Sequence, residues 1–175
     1  MKRWRVSHIQ SLLRWCSAVA TAVLLTAGVV SAATLTGRVV GVHDGDTITV
    51  LDVDRVQHKI RLQGIDAPEL GQAFGSRSKQ NLSSLVYNHQ VTVEWDKYDQ
   101  YRRVLGVVFV GSVDANLEQI HAGMAWWYRH YAKDQRPANR RAYEAAEDEA
   151  REAKRGLWSD PHPMPPWEWR RAQRR

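Results

Sequence analysis

Three short clusters of charged residues contain the side chains that could carry chemistry. They are Asp44-Gly45-Asp46-Thr47, the run from Arg61 to Glu69, and the run from Asp99 to Gly106. Each cluster alone also suits an ordinary structural role, namely a hairpin turn, a strand with a polar loop, and a polar connection. A hairpin turn, however, does not account for a second acid, Asp46, at the start of the next strand.

The acids of the first two clusters suit a hard metal ion. Asp46 and Asp66 lie at the ends of predicted strands, so both could reach one mouth of a barrel. Two carboxylates and a backbone carbonyl form an oxygen site that suits Ca²⁺ or Mg²⁺ rather than zinc. The histidines give no competing signature, because they are scattered and form no His-Glu-x-x-His motif.

The remaining charged residues could act on a phosphodiester. Arginines such as Arg61 offer planar pairs of N–H donors that match phosphate oxygens. Glu69 closely follows Asp66 and could accept a proton from an attacking water. A cation, two arginines and a base are the parts that phosphodiester hydrolysis needs, because positive groups neutralise the charge that develops on the phosphate oxygens.

Positioning these clusters requires a β-rich framework. Alternating and apolar runs predict five strands, and helical spacing with stop signals predicts three helices. Five short strands with a helix between the third and fourth favour an α+β, mainly β fold, a Greek-key barrel of the OB type. The strands are expected at about 35–42, 47–53, 56–65, 91–95 and 103–113, and the helices at about 74–87, 116–126 and 137–155.

Length and net charge say little about partners. The 175 residues suffice for one globular domain, and no internal repeat or heptad series indicates a solenoid or coiled coil. The formal charge of +6 comes from the two ends, because residues 1–33 contribute +4, residues 160–175 contribute +2 and residues 34–159 sum to zero. A nucleic-acid function must therefore be argued from particular residues at particular positions rather than from the net charge of the chain.

The first 33 residues have the pattern of a secretory signal peptide. Basic residues precede an apolar stretch, and Ser31-Ala32-Ala33 offers a small-residue cleavage site before Thr34. The alternative is an uncleaved anchor, because residues 15–33 are uncharged and a helix of about 20 residues can span a bilayer. We expect cleavage, which predicts an exported protein, periplasmic or secreted, without stable membrane association. We also expect a monomer. The single cysteine, Cys16, falls in the segment to be removed.

The end of the chain has the composition of a flexible tail. Residues 160–175 are too rich in proline to continue a helix. Alternatively, Trp167 and Trp169 together with four arginines could stack on bases and bind a phosphate backbone. The expected organisation is a signal peptide at 1–33, one domain at 34–159 and a tail at 160–175.

Taken together and in this order, the three clusters resemble the staphylococcal nuclease (thermonuclease) family, especially its exported bacterial members. The shared elements are Asp-Gly-Asp-Thr at 44–47, Asp-x-Pro-Glu at 66–69 after an arginine, and Asp-x-Tyr-x-Arg-x-Leu-Gly at 99–106. Shorter similarities follow at 72–75, 122–126 and 156–158. The resemblance covers about residues 34–159.

The resemblance implies a five-stranded OB barrel with three helices and a Ca²⁺-dependent endonuclease that hydrolyses DNA and RNA and leaves 3′-phosphate ends. Mg²⁺ or another divalent ion is the alternative cofactor. By the same resemblance, the metal would bind to Asp46, Asp66 and the backbone carbonyl of Ala67. The phosphate would bind to Arg61 and Arg103, and the nucleotide would contact Tyr101 and Tyr131. Glu69 would be the general base or the residue that orients water.

The third cluster departs from the family pattern. The family usually has glycine before the catalytic arginine, and here Arg102 occupies that position. Arg102 could add a phosphate contact, so it is a candidate substrate-binding residue. Arg103 is preferred as the catalytic arginine because it keeps the spacing to Leu105 and Gly106.

Two other functions compete with the nuclease hypothesis. OB barrels often bind nucleic acid without cutting it, so a non-catalytic nucleic-acid-binding OB module is the main alternative. An anchored envelope protein whose barrel serves protein contacts is a third possibility. Binding modules of this kind typically lose the catalytic acids and arginines. This chain keeps all five of the candidate residues, namely Asp46, Arg61, Asp66, Glu69 and Arg103.

Overall fold

Five strands form the framework of a computed structural model that describes residues 33–174. The predicted signal peptide lies outside the described residues, apart from Ala33. The strands of this framework are β1 (Ala33–Val42), β2 (Thr47–Leu51), β3 (Gln57–Leu62), β5 (Gln90–Tyr98) and β6 (Val104–Val110). Three two-residue strands accompany them: β4 (Ile65–Asp66), β7 (Val113–Asp114) and β8 (Trp126–Trp127).

The sheet closes on itself. β1 pairs with β2 on one side and with β5 on the other, and both pairings are antiparallel. β3 and β6 complete the circle through a short parallel pairing, Ile60 to Leu62 against Val104 to Gly106. This closed five-stranded barrel with several helices confirms the predicted OB-type, mainly β fold.

Side chains of alternating strand positions fill the barrel. Ile48 and Val50 of β2 point inward with Ile60 and Leu62 of β3, and all four are buried. Gly37 lets β1 and β2 approach closely, because a Cβ atom there would lie 2.4 Å from the carbonyl oxygen of Leu51.

Helices cover the barrel and complete its core. They are α1 (Gly75–Val86), α2 (Ala115–His121), α3 (Pro137–Glu152) and α4 (Pro166–Ala172), with 3₁₀ turns at Arg129–Asp134 and Gly156–Ser159. None of the helices within residues 33–174 combines the length and the apolar character needed to cross a membrane. α2 ends earlier than its apolar spacing predicted, because Gly123 turns the chain with a φ of +66°. The next residues leave to form β8, which pairs with β4.

Residues 160–174, here called the C-terminal segment, differ from the flexible tail that their composition indicated. They include α4 and belong to the same compact unit as the barrel. Pro166 is buried in the first turn of α4, where a missing N–H costs no helical hydrogen bond. Trp167 stacks on Tyr128 with ring centroids 5.3 Å apart, and its edge meets Trp126. Proline therefore starts this helix, and aromatic packing holds it to the domain.

Candidate active site

The turn between β1 and β2 positions Asp46. Its N–H donates to the carboxylate of Asp44 at 3.0 Å, which closes the turn locally. Gly45 is buried against α1, where an added Cβ atom would lie 1.8 Å from the hydroxyl of Ser78. The buried side chain of Gln119 donates to the Gly45 carbonyl at 2.6 Å. The Asp-Gly-Asp turn is thus held by both α1 and α2.

The short strand β4 positions the second acid. Asp66 pairs with Trp126 of β8, and its side chain is almost completely buried. The following residue ties the two acids together, because the N–H of Ala67 donates to Asp46 Oδ2 at 2.8 Å. Asp46 and Asp66, here called the carboxylate pair, therefore lie side by side although they are twenty residues apart in the chain.

Arg61 bridges the carboxylate pair. Its Nη1 lies 2.9 Å from Asp46 Oδ2, and its Nη2 lies 2.9 Å from Asp66 Oδ1. Nη1 also donates to the backbone carbonyls of Leu62 and Ile65. The side chain is only 14% exposed, so the protein fixes this guanidinium in place. The sequence clusters at 44–47 and 61–69 thus converge at one point.

Two ionised carboxylates buried side by side are unfavourable unless positive charge balances them. Burial raises the pKa of Asp46 to about 7, although the adjacent guanidinium of Arg61 opposes the shift. A divalent cation would relieve this cost, and the oxygens of Asp46, Asp66 and the Ala67 carbonyl suit a hard ion. Within the described chain, no three His, Cys, Asp or Glu side chains are grouped to hold a metal. Carbonyl, water or phosphate oxygens would therefore have to complete the coordination.

Glu69 lies beside the carboxylate pair, and α4 brings a second arginine to it. Arg170 Nη1 donates to Glu69 Oε1 at 2.8 Å and to Asp66 Oδ1 at 3.2 Å, while Nη2 donates to Asp66 Oδ2 at 2.7 Å. Burial opposes the charged form of Arg170, but these hydrogen bonds outweigh burial and raise its pKa further above the ordinary range. Sequence reasoning missed this residue, and the arginines of the C-terminal segment were its only signal.

The third cluster forms the turn between β5 and β6, residues 99–103, here called the hairpin turn. Arg103 Nε donates to Asp99 Oδ2 at 2.6 Å. Burial opposes ionisation of Asp99, yet the hydrogen bonds from Arg103 and Tyr101 lower its pKa below the ordinary value. Among residues 33–174, no hydrogen bond or ion pair joins Arg103 to the carboxylate pair or to Glu69.

The other residues of the hairpin turn face solvent. Tyr101 is 70% exposed, and the Arg103 guanidinium carbon lies 5.4 Å from the centre of its ring. Arg102 is also exposed and has a φ of +61°, a conformation that glycine adopts at little cost. This backbone conformation gives a physical reason for the glycine that the resemblance led us to expect where Arg102 stands.

Tyr131 belongs to a group of aromatic rings. It is 47% exposed and meets the ring of Tyr128 edge to face at 5.3 Å. Burial and the negative charge of Asp66 raise the pKa of Tyr128 above its ordinary value. The exposed Tyr131 is thus linked through Tyr128 and Trp167 to the surroundings of the carboxylate pair.

The geometry therefore divides the predicted site residues into two groups. Asp46, Arg61, Asp66 and Glu69 come together at one position, with Arg170 added by the fold. The other predicted nucleotide and phosphate contacts lie outside this cluster: Tyr101, Arg102 and Tyr131 are exposed, and Arg103 is half-buried. Such an arrangement could hold a cation and a base at a fixed point while exposed groups contact a long, charged substrate.

Comparison with known proteins identifies the family. The family described as "Staphylococcal nuclease homologue" matches residues 59–160. A micrococcal nuclease of Shigella flexneri is 43% identical over 175 residues, which cover 95% of this chain and 98% of the relative. Protein ParB of Escherichia coli is 43% identical over 89% of each chain, and an uncharacterized endonuclease of Haemophilus influenzae is 42% identical over 79% of this chain and 75% of its own. The chain therefore belongs to the staphylococcal nuclease family and is a hydrolase of the nuclease type.

Proposed function

We propose that this protein is a Ca²⁺-dependent endonuclease that hydrolyses phosphodiester bonds of DNA and RNA and leaves 3′-phosphate ends. The main support is the convergence of two buried carboxylates on one guanidinium, with Glu69 beside them. Members of the family use a divalent metal ion. The relatives described as a micrococcal nuclease and an endonuclease support the same reaction class.

The carboxylate pair would hold the metal, together with the Ala67 carbonyl. When bound, the ion would supply positive charge against the phosphate oxygens and thereby act as a Lewis acid. Arg61 keeps both carboxylates in place through contacts of 2.9 Å. Because each acid is already oriented and desolvated, little ordering entropy would be lost when the site is filled.

Glu69 would accept the proton of the attacking water. Its side chain is 39% exposed, so water can reach it from solvent. A carboxylate fixed within hydrogen-bond reach of a water can act as a general base and contribute about 10²–10⁴-fold to the rate. The phosphate would be held by Arg61 and by Arg103.

Arg103 would stabilise the charge that develops on the phosphate. Asp99 engages its Nε, and among residues 33–174 no ion pair engages its two terminal amino groups. These two groups form the planar edge that matches phosphate oxygens. Arg103 is less exposed than Arg102 and is fixed by Asp99, so we propose Arg103 as the catalytic arginine and Arg102 as a peripheral phosphate contact.

Tyr101 and Tyr131 would contact the nucleotide. Both rings are exposed, and aromatic faces stack on any base, which agrees with a substrate range that includes DNA and RNA. Strong base-specific readout is not expected from such contacts.

The decisive experiment is cleavage of labelled DNA and RNA by the purified protein with Ca²⁺, with Mg²⁺ and with EDTA. We expect internal cleavage that requires Ca²⁺, and 3′ ends that a polymerase extends only after phosphatase treatment. Tight binding without cleavage under every condition would favour the alternative, a non-catalytic OB module. Equal cleavage in EDTA would contradict metal dependence, and directly extendable ends would contradict 3′-phosphate products.

We also propose that the protein is exported and acts as a monomer in the periplasm or the medium. The signal-peptide pattern of residues 1–33 supports export. N-terminal sequencing of the protein recovered from periplasm and medium should give a first residue at or near Thr34, and light scattering should give one chain per particle. An intact N-terminus in the membrane fraction would support the anchor instead.

A further inference from the structure

Arg170 connects the C-terminal segment to the chemistry of the proposed active site. One guanidinium donates three hydrogen bonds to two carboxylates, Asp66 and Glu69, at 2.7 to 3.2 Å. The planar group therefore fixes the position of the proposed base relative to the proposed metal ligand. Hydrogen bonds between charged partners are about twice as strong as neutral ones, so this contact is a substantial constraint.

The helix that carries Arg170 is firmly packed. Pro166 is buried, and Trp167 contacts the rings of both Tyr128 and Trp126. At the start of the segment, the side chain of Gln72 donates to the carbonyl of Met164. Arg170 is thus presented by a folded element of the domain, whereas a mobile tail would deliver it only part of the time.

Glu69 depends on this contact for its orientation. Its carboxylate is 39% exposed and lies in the loop before α1. In the described part of the chain, Arg170 is the only side chain that donates a hydrogen bond to it. Without Arg170 the carboxylate would sample several rotamers in solvent, and only some of them would direct it at a water beside Asp66.

The contact leaves Asp66 able to bind a cation. Each carboxylate oxygen has two lone pairs, and Asp66 Oδ1 accepts from both Arg61 and Arg170. Asp66 Oδ2 accepts from Arg170 alone within residues 33–174, so one lone pair remains on it.

We propose that Arg170 is a positioning residue of the nuclease, which orients Glu69 next to Asp66 for proton transfer. This inference rests on the proposed function and assigns the C-terminal segment to the active site. Arg170 acts through Glu69, so its loss should lower turnover more than it weakens substrate binding.

The test compares Arg170→Gln with Arg171→Gln, which removes the same charge from an exposed neighbour on the same helix. We expect Arg170→Gln to lower kcat about 10²-fold with a small change in KM, because a misplaced catalytic group costs about that much. Arg171→Gln should keep kcat. Addition of methylguanidinium to Arg170→Ala should restore part of the lost turnover, whereas a merely misfolded variant would not respond.

Calorimetric titration with Ca²⁺ in the absence of nucleic acid supplies an independent readout. Removal of a positive charge 2.7 Å from Asp66 should leave Ca²⁺ affinity unchanged or increase it, while turnover falls. Loss of Ca²⁺ affinity together with turnover would mean that Arg170 merely supports the fold, and would overturn the inference. Increased turnover would identify Arg170 as an inhibitory cap and would also overturn it.

Thermal unfolding of each variant separates stability from function. If Arg170→Gln does not fold, Arg170→Lys keeps the charge but loses the planar contact to two carboxylates, and it should show the same selective loss of kcat. Normal kcat in Arg170→Lys and Arg170→Gln, with an active wild type, refutes this inference alone. A wild-type protein that cleaves nothing refutes the proposed function itself.

Discussion

The carboxylate pair and the hairpin turn belong to the same candidate active site but are built differently. Asp46 and Asp66 are almost fully buried, and Arg61 and the N–H of Ala67 hold them by short contacts. The hairpin turn is held mainly by Asp99, and its tyrosine and first arginine face solvent. One region is fixed by the core, and the other is fixed by a single local acid.

This difference indicates a division of labour. Ionised groups are unfavourable inside a protein unless partners are already in place around them. The folded core therefore fixes the positions of such groups, which suits a metal site. Exposed groups keep their hydration and adapt to a long substrate at little cost. Substitutions in the buried region should therefore change stability strongly as well as activity, whereas substitutions in the hairpin turn should change stability only slightly.

Glu69→Gln should give the largest functional effect. The amide keeps the size of the side chain but cannot accept a proton as a general base, so kcat should fall about 10²–10⁴-fold. Single-turnover cleavage of a labelled oligonucleotide measures this. Glu152→Gln, an exposed change on α3, is the matched control. Unchanged cleavage by Glu69→Gln would remove Glu69 from the mechanism.

Arg61→Gln should give the largest loss of stability. It leaves two buried carboxylates without their shared partner, and removing one partner of a buried ion pair costs about 3–5 kcal/mol. Urea unfolding in EDTA gives the free energy of unfolding directly. Arg103→Gln, measured in parallel, should lose about 1 kcal/mol or less. Equal losses of unfolding free energy in the two variants would contradict the proposed difference between a buried and an exposed region.

Arg103→Lys should reduce activity without reducing stability. A lysine keeps the charge but loses the two-pronged contact with phosphate, so kcat should fall about 10²-fold while the melting temperature stays the same. Arg102→Lys is the control in the same turn and should be close to wild type. If Arg102→Lys proves to be the damaging change, Arg102 is the arginine that faces the phosphate.

Acid should loosen the hairpin turn at a lower pH than the one at which Asp46 takes up a proton, because burial raises the pKa of Asp46 to about 7 whereas the pKa of Asp99 is lowered. Because the folded pKa of Asp99 lies below its unfolded value of about 3.9, its ion pair stabilises the fold above that pH and is lost as the pH falls further. Asp99→Asn should cost about 1 kcal/mol or less near pH 7. The difference in unfolding free energy between wild type and this variant should shrink as the pH is lowered through 4. A constant difference would mean that charge has no part in holding the turn.

Arg102→Gly should give the smallest effect, a gain in stability. A non-glycine residue at a φ of +61° is strained, so glycine should raise the free energy of unfolding by roughly 0.5–1 kcal/mol. Arg55→Gly is a matched control, because Arg55 has a φ of +60° in a loop of a different hairpin. Both variants should gain stability, but only Arg102→Gly should weaken binding to a single-stranded oligonucleotide. Equal binding by both would exclude Arg102 from the substrate surface.

Much of the barrel and half of the site follow from local sequence patterns. Alternating apolar residues in β2 and β3 predict strands because only one face of each strand enters the core. Asp46, Arg61 and Asp66 are predictable as neighbours because short turns connect the strands that carry them. By contrast, the end of α2 at His121 was not predictable from apolar spacing, since Trp126 and Trp127 continue that spacing but pair with β4.

The C-terminal segment shows where sequence reasoning fails. The high proline content of the segment argues against a helix. Pro166, however, lies in the first helical turn, where proline is favoured. Nothing in the local pattern of Trp167 to Arg170 indicates that Trp167 contacts rings about 40 positions earlier, or that Arg170 contacts carboxylates about a hundred positions earlier. Such contacts depend on the fit of aromatic rings at a surface that exists only after the barrel has formed.

The sequence by itself determined the family, the strand pattern and which residue types were available for chemistry, because motifs, alternation and turn signals are properties of neighbouring residues. Only the tertiary structure decided that Arg61 bridges two buried acids, that Asp99 binds Arg103, and that Arg170 reaches Glu69. The physical reason is that charge pairing and burial act through space, and distances between remote segments are set by the packing of the whole core.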